Sequence, residues 1–536
     1  MYRRLKRRIF KKMLQEIERI KMEFAGDIAP SENISSNLQS NLQKINNALH
    51  SSADLMIRQF TIRIKNSPKA ALVYIDGLTD KKQIEWSILR PLMAPPLEEL
   101  TLSAQQDLLR HIETQRITTG DAKELNALSQ IIESILEGNT ALFVDGVSSA
   151  VIISTPGWEK RGIEQPASEV NLRGPREGFV ETLRTNTAML RRKIGHPDLT
   201  FISLTIGEKT KTNISIAYLK GIAHDSLISE IERRLKRIKT DIIVGAGGVE
   251  QFIDEHPLSP FSTIGYTERP DVVAAKISEG RAAVFVDGTP VVLTMPFLFV
   301  ENFQFPDDYN TQFIYATLIR WIRYTAFLIS FLTPSIYVAL TAFHQEILPT
   351  PLLIAMASAS EGMPFPRVIE VIGMGLIFEI IREGGIRLPK PIGQAISIVG
   401  ALVIGQATVQ AGFVSAPTVI AIAITAVTTF IFPSLVDETT PLRLLVVIIA
   451  GFLGAFGIFI CIIILIIYLA SMRSFGVSYL SPIVPVNFRE LGQDVLIRAP
   501  WWMMWKRPSL LAKDKVRQQF RLMPRPPKKS GGESDS

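Results

Sequence analysis

The sequence predicts an α/β soluble domain made of two tandem repeated subdomains, followed by a polytopic α-helical membrane domain. Two observations lead to this fold class. Residues 1–310 of the 536 mix charged with apolar side chains and contain an internal repeat, whereas the window 324–470 is mostly uncharged. Four apolar runs in that window are each about 20 residues or longer, enough to cross a hydrocarbon core of about 30 Å. These runs are 324–343, 391–411, 412–433 and 444–470.

The first segment, 1–54, is predicted to be a basic helical N-terminal segment. Seven Lys and Arg residues lie between Arg3 and Lys12, and no apolar stretch of the kind found in signal peptides follows them. We therefore expect this region on the cytoplasmic side. The basic cluster is equally well explained as a binding site for acidic lipid headgroups and as the solvated start of a helix.

The repeat is read from two pairs of matching segments. The closing segments, 137–146 and 279–288, align over their whole length and both end in Asp-Gly. The opening segments, 71–77 and 215–221, match at a nearly equal offset, so the order is opening, closing, opening, closing. A duplication explains this order. It predicts α/β subdomain 1 over 55–170, and α/β subdomain 2 over 171–310, where subdomain 2 includes a preceding GPREGF linker.

Each predicted unit has a β-rich run, a helix (81–92 or 226–238), and two strands joined by an Asp-Gly turn. Asp-Gly between apolar runs is a hairpin signal, since both residues tolerate positive φ. The aspartates Asp76, Asp145 and Asp287 could in principle serve catalysis or metal binding. Turn chemistry alone explains an Asp beside a Gly, and this structural interpretation is favoured.

No catalytic, cofactor-binding or metal-binding residues are predicted, and the chain is not expected to be an enzyme. The six histidines are scattered without zinc-site spacing, and the single cysteine, Cys461, lies inside an apolar run. The sequence GAGG at 245–248 lacks both the lysine and the spacing of a phosphate-binding loop. Nucleic acid is not an expected partner either.

Helix packing is predicted at the run 391–411. Its small residues Gly393, Ser397, Ala401 and Gly405 recur every four positions, which places them on one helix face. Small residues at this spacing allow helices to approach closely in lipid.

The segment 367–387 is apolar at its centre but carries Glu370 and Glu379, about 180° apart on a helix. Arg367 and Arg382 each lie three residues from one of these acids. Two interpretations stay open, a helix that lines a pore and an amphipathic helix at the membrane surface, and the first is favoured. Its pore and gate candidates are Glu370, Val371, Met374, Leu376 and Glu379.

The predicted transmembrane domain covers 311–482 with four to six helices, followed by a basic interfacial or disordered tail over 483–536. Arg320 and Arg323 before the first run, and Trp501, Trp502 and Trp505 in the basic tail, predict cytoplasmic placement of both ends. The number of crossings is then even, and four and six both stay open. The segment 347–359 is too short to span and is a candidate re-entrant helix.

Several long blocks resemble the GerA family of spore germination receptor A subunits, from about residue 55 to 500. The most specific are GPREGFVETLRTN (174–186), TERPDVVAAKISEGRAAVFVDGTPVVL (267–293), HQEILPTPLL (344–353), FEIIREGGIRLPKPIGQAISIVGALVIGQATVQAGFVSAP (378–417) and RSFGVSYLSP (473–482). The residues of this sequence that carry the family motif are Gly174, Pro175, Arg176, Glu177, Asp287 and Gly288.

The resemblance implies a multi-pass subunit of a nutrient (germinant) receptor in the spore inner membrane. It implies a transporter-like B subunit and a lipoprotein C subunit as partners, and a homo-oligomer that conducts ions when nutrient binds. The alternative is a non-conducting scaffold that couples the ligand-binding subunit to a separate channel. A secondary transporter is disfavoured, because the visible repeat lies in the soluble half rather than in the membrane half.

Overall fold

A computed structural model of the chain describes residues 32–63, 67–94, 121–157, 173–387, 403–514 and 516–517, together with residues 109, 117, 118 and 169. The basic N-terminal cluster and the end of the tail lie outside these residues. So do Gly393, Ser397 and Ala401 of the predicted packing face.

The first subdomain is a five-stranded antiparallel sheet with helices on its faces. Its strands have the order β1-β2-β4-β5-β3, and the central ones are buried on both faces, as their unbroken apolar sequence predicts. The elements are α1 (Leu38–Ala48), β1 (Leu55–Thr61), β2 (Lys69–Ile75), α2 (Lys81–Ile84, continued by Glu85–Leu89 and Arg90–Met93), β3 (Ala122–Leu125), α3 (Leu128–Leu136), β4 (Thr140–Val144) and β5 (Ala150–Ile153).

The second subdomain repeats this arrangement. Its strands have the order β6-β7-β9-β10-β8, which is the order of the first sheet shifted by five, and helix α6 lies between α5 and β8. The elements are α4 (Leu183–Lys193), β6 (Leu199–Ile206), β7 (Thr212–Leu219), α5 (Asp225–Arg237), α6 (Gly245–Ile253), β8 (Gly265–Thr267), α7 (Pro270–Ser278), β9 (Ala282–Val286) and β10 (Val292–Met295).

Each repeat begins earlier than the sequence comparison predicted. Helices α1 and α4 precede the first strand of each sheet and make the same local contacts. Asn41 of α1 exchanges hydrogen bonds with the backbone of Ser35, and Asn186 of α4 does the same with Val180. The GPREGF segment leads into α4, the first helix of the second unit.

A buried ion pair joins the two subdomains. The guanidinium of Arg191 on α4 is fully buried and donates hydrogen bonds to both carboxylate oxygens of Asp54, each over 3.0 Å. The backbone of Ala53 donates to Phe201 of β6, and Phe201 donates to the hydroxyl of Ser52. The segment 52–54 of the first subdomain thus follows β6 of the second, and the pair is shielded from water at their boundary.

The C-terminal part of the chain is helical. Two of its helices, Phe313–Ala342 and Pro433–Ser471, are long and apolar enough to cross a membrane among the residues that the structure describes. The helices are α8 (Asp307–Asn310), α9 (Phe313–Ala342), α10 (Thr350–Ser358), α11 (Arg367–Arg387), α12 (Ala416–Thr429) and α13 (Val436–Ser471), with residues 403–410 also helical.

The run predicted as one helix over 444–470 folds back on itself. Gly454 in the middle of α13 has φ 61° and ψ −144°, which is not helical. A Cβ placed on Gly457 would lie 3.0 Å from the carbonyl oxygen of Ile449, a residue about 12 Å away along a straight helix. The segments 436–453 and 455–471 are therefore two antiparallel arms of about 26 Å each. The glycines at 454 and 457 therefore lie at the turn between these arms.

The other apolar runs also differ from their predicted bounds. Helix α9 begins at Phe313, so Arg320 and Arg323 lie within it rather than before it. The predicted run 412–433 contains only the 14 residues of α12, about 21 Å long. Helix α10, in the segment predicted as re-entrant, buries none of its side chains within the described chain.

The described part of the tail is folded against subdomain 2 and the start of α9. The indole of Trp501 donates to the carbonyl of Tyr309 over 3.1 Å, and Arg507 donates to the carbonyl of Ser278 at the end of α7. Ala512 forms a β-bridge with Ala223. These contacts explain why the described part of the tail is ordered. The sequence had predicted an interfacial or disordered tail from its basic and aromatic residues.

Candidate functional site

The first acid of α11 is enclosed by protein groups. Glu370 is 2% exposed, and its Oε2 accepts hydrogen bonds from the backbone and hydroxyl of Ser415 and from the hydroxyl of Thr418, at 3.0–3.1 Å. Its Oε1 pairs with Arg367 at 2.9 Å, as the three-residue spacing predicts. Ser415 directly precedes α12, so the carboxylate lies at the positive end of that helix and fixes it to α11.

The second acid connects α11 to the first arm of α13. The Oε2 of Glu379 accepts from Arg382 at 2.7 Å, which confirms the second predicted pair. Its Oε1 accepts from Arg443 at 2.8 Å and from the hydroxyl of Thr440 at 3.3 Å. The two acids point to different neighbours, α12 and α13, which agrees with the predicted half-turn between them. Each carboxylate is thus paired with at least one arginine.

The apolar gate candidates fall into two environments. Val371 and Met374 are buried in a cluster with residues of α9, α12 and α13, including Val338, Ile422 and Val447. Leu376 is 50% exposed. Of these three residues, only Leu376 presents a surface that another chain or an ion path could contact in this packing.

The predicted packing face is described at Gly405 alone. A Cβ placed on this glycine would lie 3.5 Å from a methyl group of Val419 on α12, which is ordinary van der Waals contact. Residues 403–410 therefore pack closely against α12 at that point.

A buried charge cluster lies where α9 meets the soluble subdomains. Asp308 of α8 pairs with Arg323 at 2.7 Å and with Arg320 at 3.3 Å, and Arg320 also pairs with Asp494 of the tail at 3.1 Å. The hydroxyl of Tyr309 donates to Asp494 over 2.9 Å. Arg320 is fully buried. Removing one member would leave an uncompensated buried charge, so the cluster fixes α9 to the tail.

Burial changes the acidity of the two members of this cluster that follow or precede α9, Asp494 and Tyr309. It raises the pKa of Asp494 to about 6, although Arg320 and the hydrogen bond from Tyr309 act in the opposite direction. Burial and the nearby Asp494 carboxylate also raise the pKa of the Tyr309 hydroxyl. The Asp494 carboxyl group is therefore expected to titrate near pH 6.

A second network joins α7 to the tail. Glu301 pairs with Arg281 at 2.9 Å and with Lys276 at 3.1 Å, and Glu279 pairs with Arg281 and Arg517 at 2.5 Å each. Burial opposes ionisation of Glu279, but the two arginines outweigh it and hold its pKa below the usual range. Neither network could be predicted from the sequence, because their members are separated by up to 238 residues.

The family-motif residues belong to the repeat rather than to a separate site. Gly174, Pro175 and Arg176 are exposed, and Glu177 pairs with Arg192 and Lys193 of α4 at 3.1 and 2.7 Å. The carboxylate of Asp287 accepts from the backbone of Leu183, and Gly288 donates to the carbonyl of Glu181. The motif thereby positions the first helix of the second unit on the Asp-Gly turn of its own sheet.

Comparison with known protein families matches residues 43–510 to the family described as Bacillus/Clostridium GerA spore germination protein. The chain is 41% identical to spore germination protein KA of Bacillus subtilis (strain 168), over 92% of this chain and 90% of that protein. It is 40% identical to the uncharacterized membrane protein YfkQ of the same organism, over 89% and 91% of the two chains.

Two further similarities cover different parts of the chain. Spore germination protein B1 of B. subtilis (strain 168) is 37% identical over 91% of this chain and over its own full length. A crystal structure of the N-terminal domain of the A subunit of the Bacillus megaterium spore germinant receptor GerK3 is 36% identical and covers 51% of this chain and 99% of that domain, with a TM-score of 0.40.

Proposed function

Since this chain belongs to the Bacillus/Clostridium GerA spore germination protein family, we propose that it is the membrane subunit of a nutrient receptor that triggers spore germination. In this proposal the subunit forms a homo-oligomeric, ligand-gated ion channel in the spore inner membrane. A transporter-like B subunit recognises the nutrient, and a lipoprotein C subunit completes the complex. The names of the spore germination relatives support the receptor role, and α11 supports the channel role.

We propose six membrane-crossing segments with both termini on the side of the soluble subdomains. Helix α9 leads away from the charge cluster at Arg320, and its end at Phe343 meets the turn at Gly454 of α13. Helix α11 returns toward Asp437, which Arg382 approaches to 4.0 Å. The run 391–411, α12 and the two arms of α13 supply the other four segments. The proposal therefore has six membrane crossings rather than four.

The channel proposal rests on one observation about α11. Glu370 and Glu379 fix this helix to its neighbours from opposite sides, while Ile369, Leu376 and Ile380 lie exposed on the side between them. Their spacing of seven and four residues places them on a single stripe. In a ring of subunits, such a stripe can form an apolar constriction that stays closed by excluding water. Leu376 is then the gate residue, and Val371 and Met374 support it from the protomer interior.

The two acids have related parts in this mechanism. Glu370 holds α11 and α12 together at one end of the helix, and Glu379 holds α11 to α13 toward the other. If α11 tilts inward or outward, these pairs must break, or α12 and α13 must move together with α11. Glu379 remains partly exposed between its arginines, so its charge also contributes to the preference for cations at that end of the pore.

A scaffold without conduction is the second candidate. It is favoured by the complete enclosure of Glu370, whose bonds are all made within one protomer. An acid that only joins two helices needs no ion path. In that case the subunit would transmit the nutrient signal to a separate channel.

The two candidates are separated by replacing acids with glutamine and measuring ion release from spores after nutrient addition. Glu370→Gln and Glu379→Gln are the test variants, and Glu383→Gln is the control. Glu383 lies on the same helix but is exposed and pairs with Arg387. The channel predicts changed ion selectivity in the test variants alone, whereas the scaffold predicts at most a changed rate, because the ions then pass through a separate channel. Unchanged release and selectivity in both would contradict the channel assignment.

A further inference from the structure

We propose that a basic cleft in subdomain 2 binds the phosphate of an anionic phospholipid headgroup. The cleft has a volume of about 710 Å³ and opens between α5, α6 and the segment that follows α13. Its lining includes Arg237, His256, Arg473, Phe252 and Ser471. This site is separate from α11, and the inference does not require the protein to conduct ions.

The acids that line the cleft are already engaged by neighbouring groups. Glu230 pairs with Arg233 and Arg234, and Glu255 pairs with Arg234. Asp254 accepts hydrogen bonds from the backbone of His256 and from a threonine hydroxyl. The negative charge of the lining is therefore offset by hydrogen bonds and arginines of the same part of the chain.

Two arginines of the cleft remain available for a ligand. Arg237, in the last turn of α5, and Arg473, just beyond α13, are both exposed. Neither side chain forms an ion pair with any residue that the structure describes. Guanidinium groups match phosphate oxygens in a two-pronged geometry, so a pair of unengaged arginines facing one cleft favours a phosphate ester.

The position of the cleft indicates that this phosphate comes from a lipid. Ser471 is the last residue of α13, so the cleft lies where the second arm leaves the membrane. The hydroxyl of Ser259 is 3.7 Å from the sulfur of Met472, which holds the loop 256–259 at the same level.

Apolar side chains beside the cleft support the same source. Leu258 in this loop is 99% exposed, and Phe252 is 55% exposed at the cleft wall. Exposed apolar side chains next to arginines suit the boundary between headgroups and acyl chains. Free phosphate offers no apolar part for them to contact, whereas a phospholipid does.

The test uses the full chain reconstituted in nanodiscs of phosphatidylcholine with a minor fraction of phosphatidylglycerol. After transfer to detergent, retained lipids are counted by native mass spectrometry. The test variant is Arg237→Gln with Arg473→Gln. The control is Lys209→Gln with Lys220→Gln, which removes the same charge from exposed positions of subdomain 2 outside the cleft. Circular dichroism and thermal unfolding verify that both variants fold.

We expect the wild-type protein and the control to retain phosphatidylglycerol in preference to phosphatidylcholine, and the test variant to lose this preference by about tenfold. Equal preference in all three proteins would overturn the site. A second arm adds inorganic phosphate to the protein in detergent and follows binding by calorimetry. Phosphate binding that depends on both arginines, without any preference for phosphatidylglycerol, would overturn the lipid as the source.

Discussion

Asp145 and Asp287 make the same contact in the two halves of the soluble region. Each follows the fourth strand of its sheet and is followed by a glycine, and each carboxylate accepts the first backbone N–H of the helix that begins the repeat. The distances are 3.2 Å from Leu38 to Asp145 and 3.0 Å from Leu183 to Asp287. The Asp-Gly pair thus both forms the hairpin turn and caps a helix that precedes it by about a hundred residues.

Replacing this cap is expected to destabilise the second subdomain. Asp287→Ala removes the acceptor for the Leu183 N–H and should lower the free energy of unfolding by about 1 kcal/mol. Asp241→Ala is the control, because Asp241 is an exposed acid that pairs with the exposed Lys209. Thermal unfolding of the full chain in detergent measures the difference, and equal stability of the two variants would show that the cap contributes nothing.

The ion pair between the subdomains should be strongly coupled. Arg191→Ala or Asp54→Ala leaves a buried charge without its partner. Each should lower the free energy of unfolding by about 3–5 kcal/mol. The double variant should cost clearly less than the sum, since neither charge remains buried. A double-mutant cycle from denaturant unfolding tests this expectation. Additive effects within about 0.5 kcal/mol would mean that the two residues do not interact.

The fold-back of α13 should depend on the glycine at its turn. Gly454→Ala forces a side chain into a backbone conformation that favours glycine and brings its Cβ to 3.1 Å from Phe343. We expect the free energy of unfolding to fall by about 1–3 kcal/mol. Gly373→Ala on α11 is the control, because a Cβ there meets no atom within 4 Å and alanine favours a helix. Thermal unfolding that ranks Gly454→Ala at or above Gly373→Ala would contradict the turn.

The junction at Asp494 should make stability depend on pH. Its pKa is about 6 in the folded protein and 3.8 in the reference state, so between these values the folded state holds more protons than the unfolded state. The contribution of this carboxyl to stability is therefore fully present below about pH 4 and is lost as the pH rises through about 6. Asp494→Asn should remove this dependence. Unfolding curves at pH 5 and 7 that shift equally for wild type and variant would contradict the raised pKa.

The two α/β subdomains were predictable because short stretches of sequence identify their turns and strands. Two Asp-Gly turns with matching strands on each side identify the repeated sheet, and the structure has strands at these positions. The helices were expected, but their place at the start of each repeat was missed, since the segment around Asn41 and that around Asn186 share few side chains beyond the asparagine and a leucine. Their similarity becomes visible only in the hydrogen bonds that both asparagines make.

The helical half was predicted less accurately, because hydropathy does not show whether an apolar segment continues straight or reverses its direction. A continuous apolar sequence from 444 to 470 has the same composition whether it is straight or folded back at Gly454, and only the positive φ distinguishes the two. Arg320 and Arg323 suggested a boundary by charge alone. Asp494, which pairs with Arg320, is remote in the sequence, so the burial of Arg320 within α9 could not be anticipated.

Ion flux through the purified protein in liposomes, with the mass of the oligomer measured in the same preparation, tests the channel proposal most directly. The account predicts a ring of subunits that passes cations. The flux should change in Leu376→Ala, because the smaller side chain widens the proposed apolar constriction. An impermeable monomer, or flux that is identical in wild type and Leu376→Ala, would contradict the assignment of α11 as the ion-path helix.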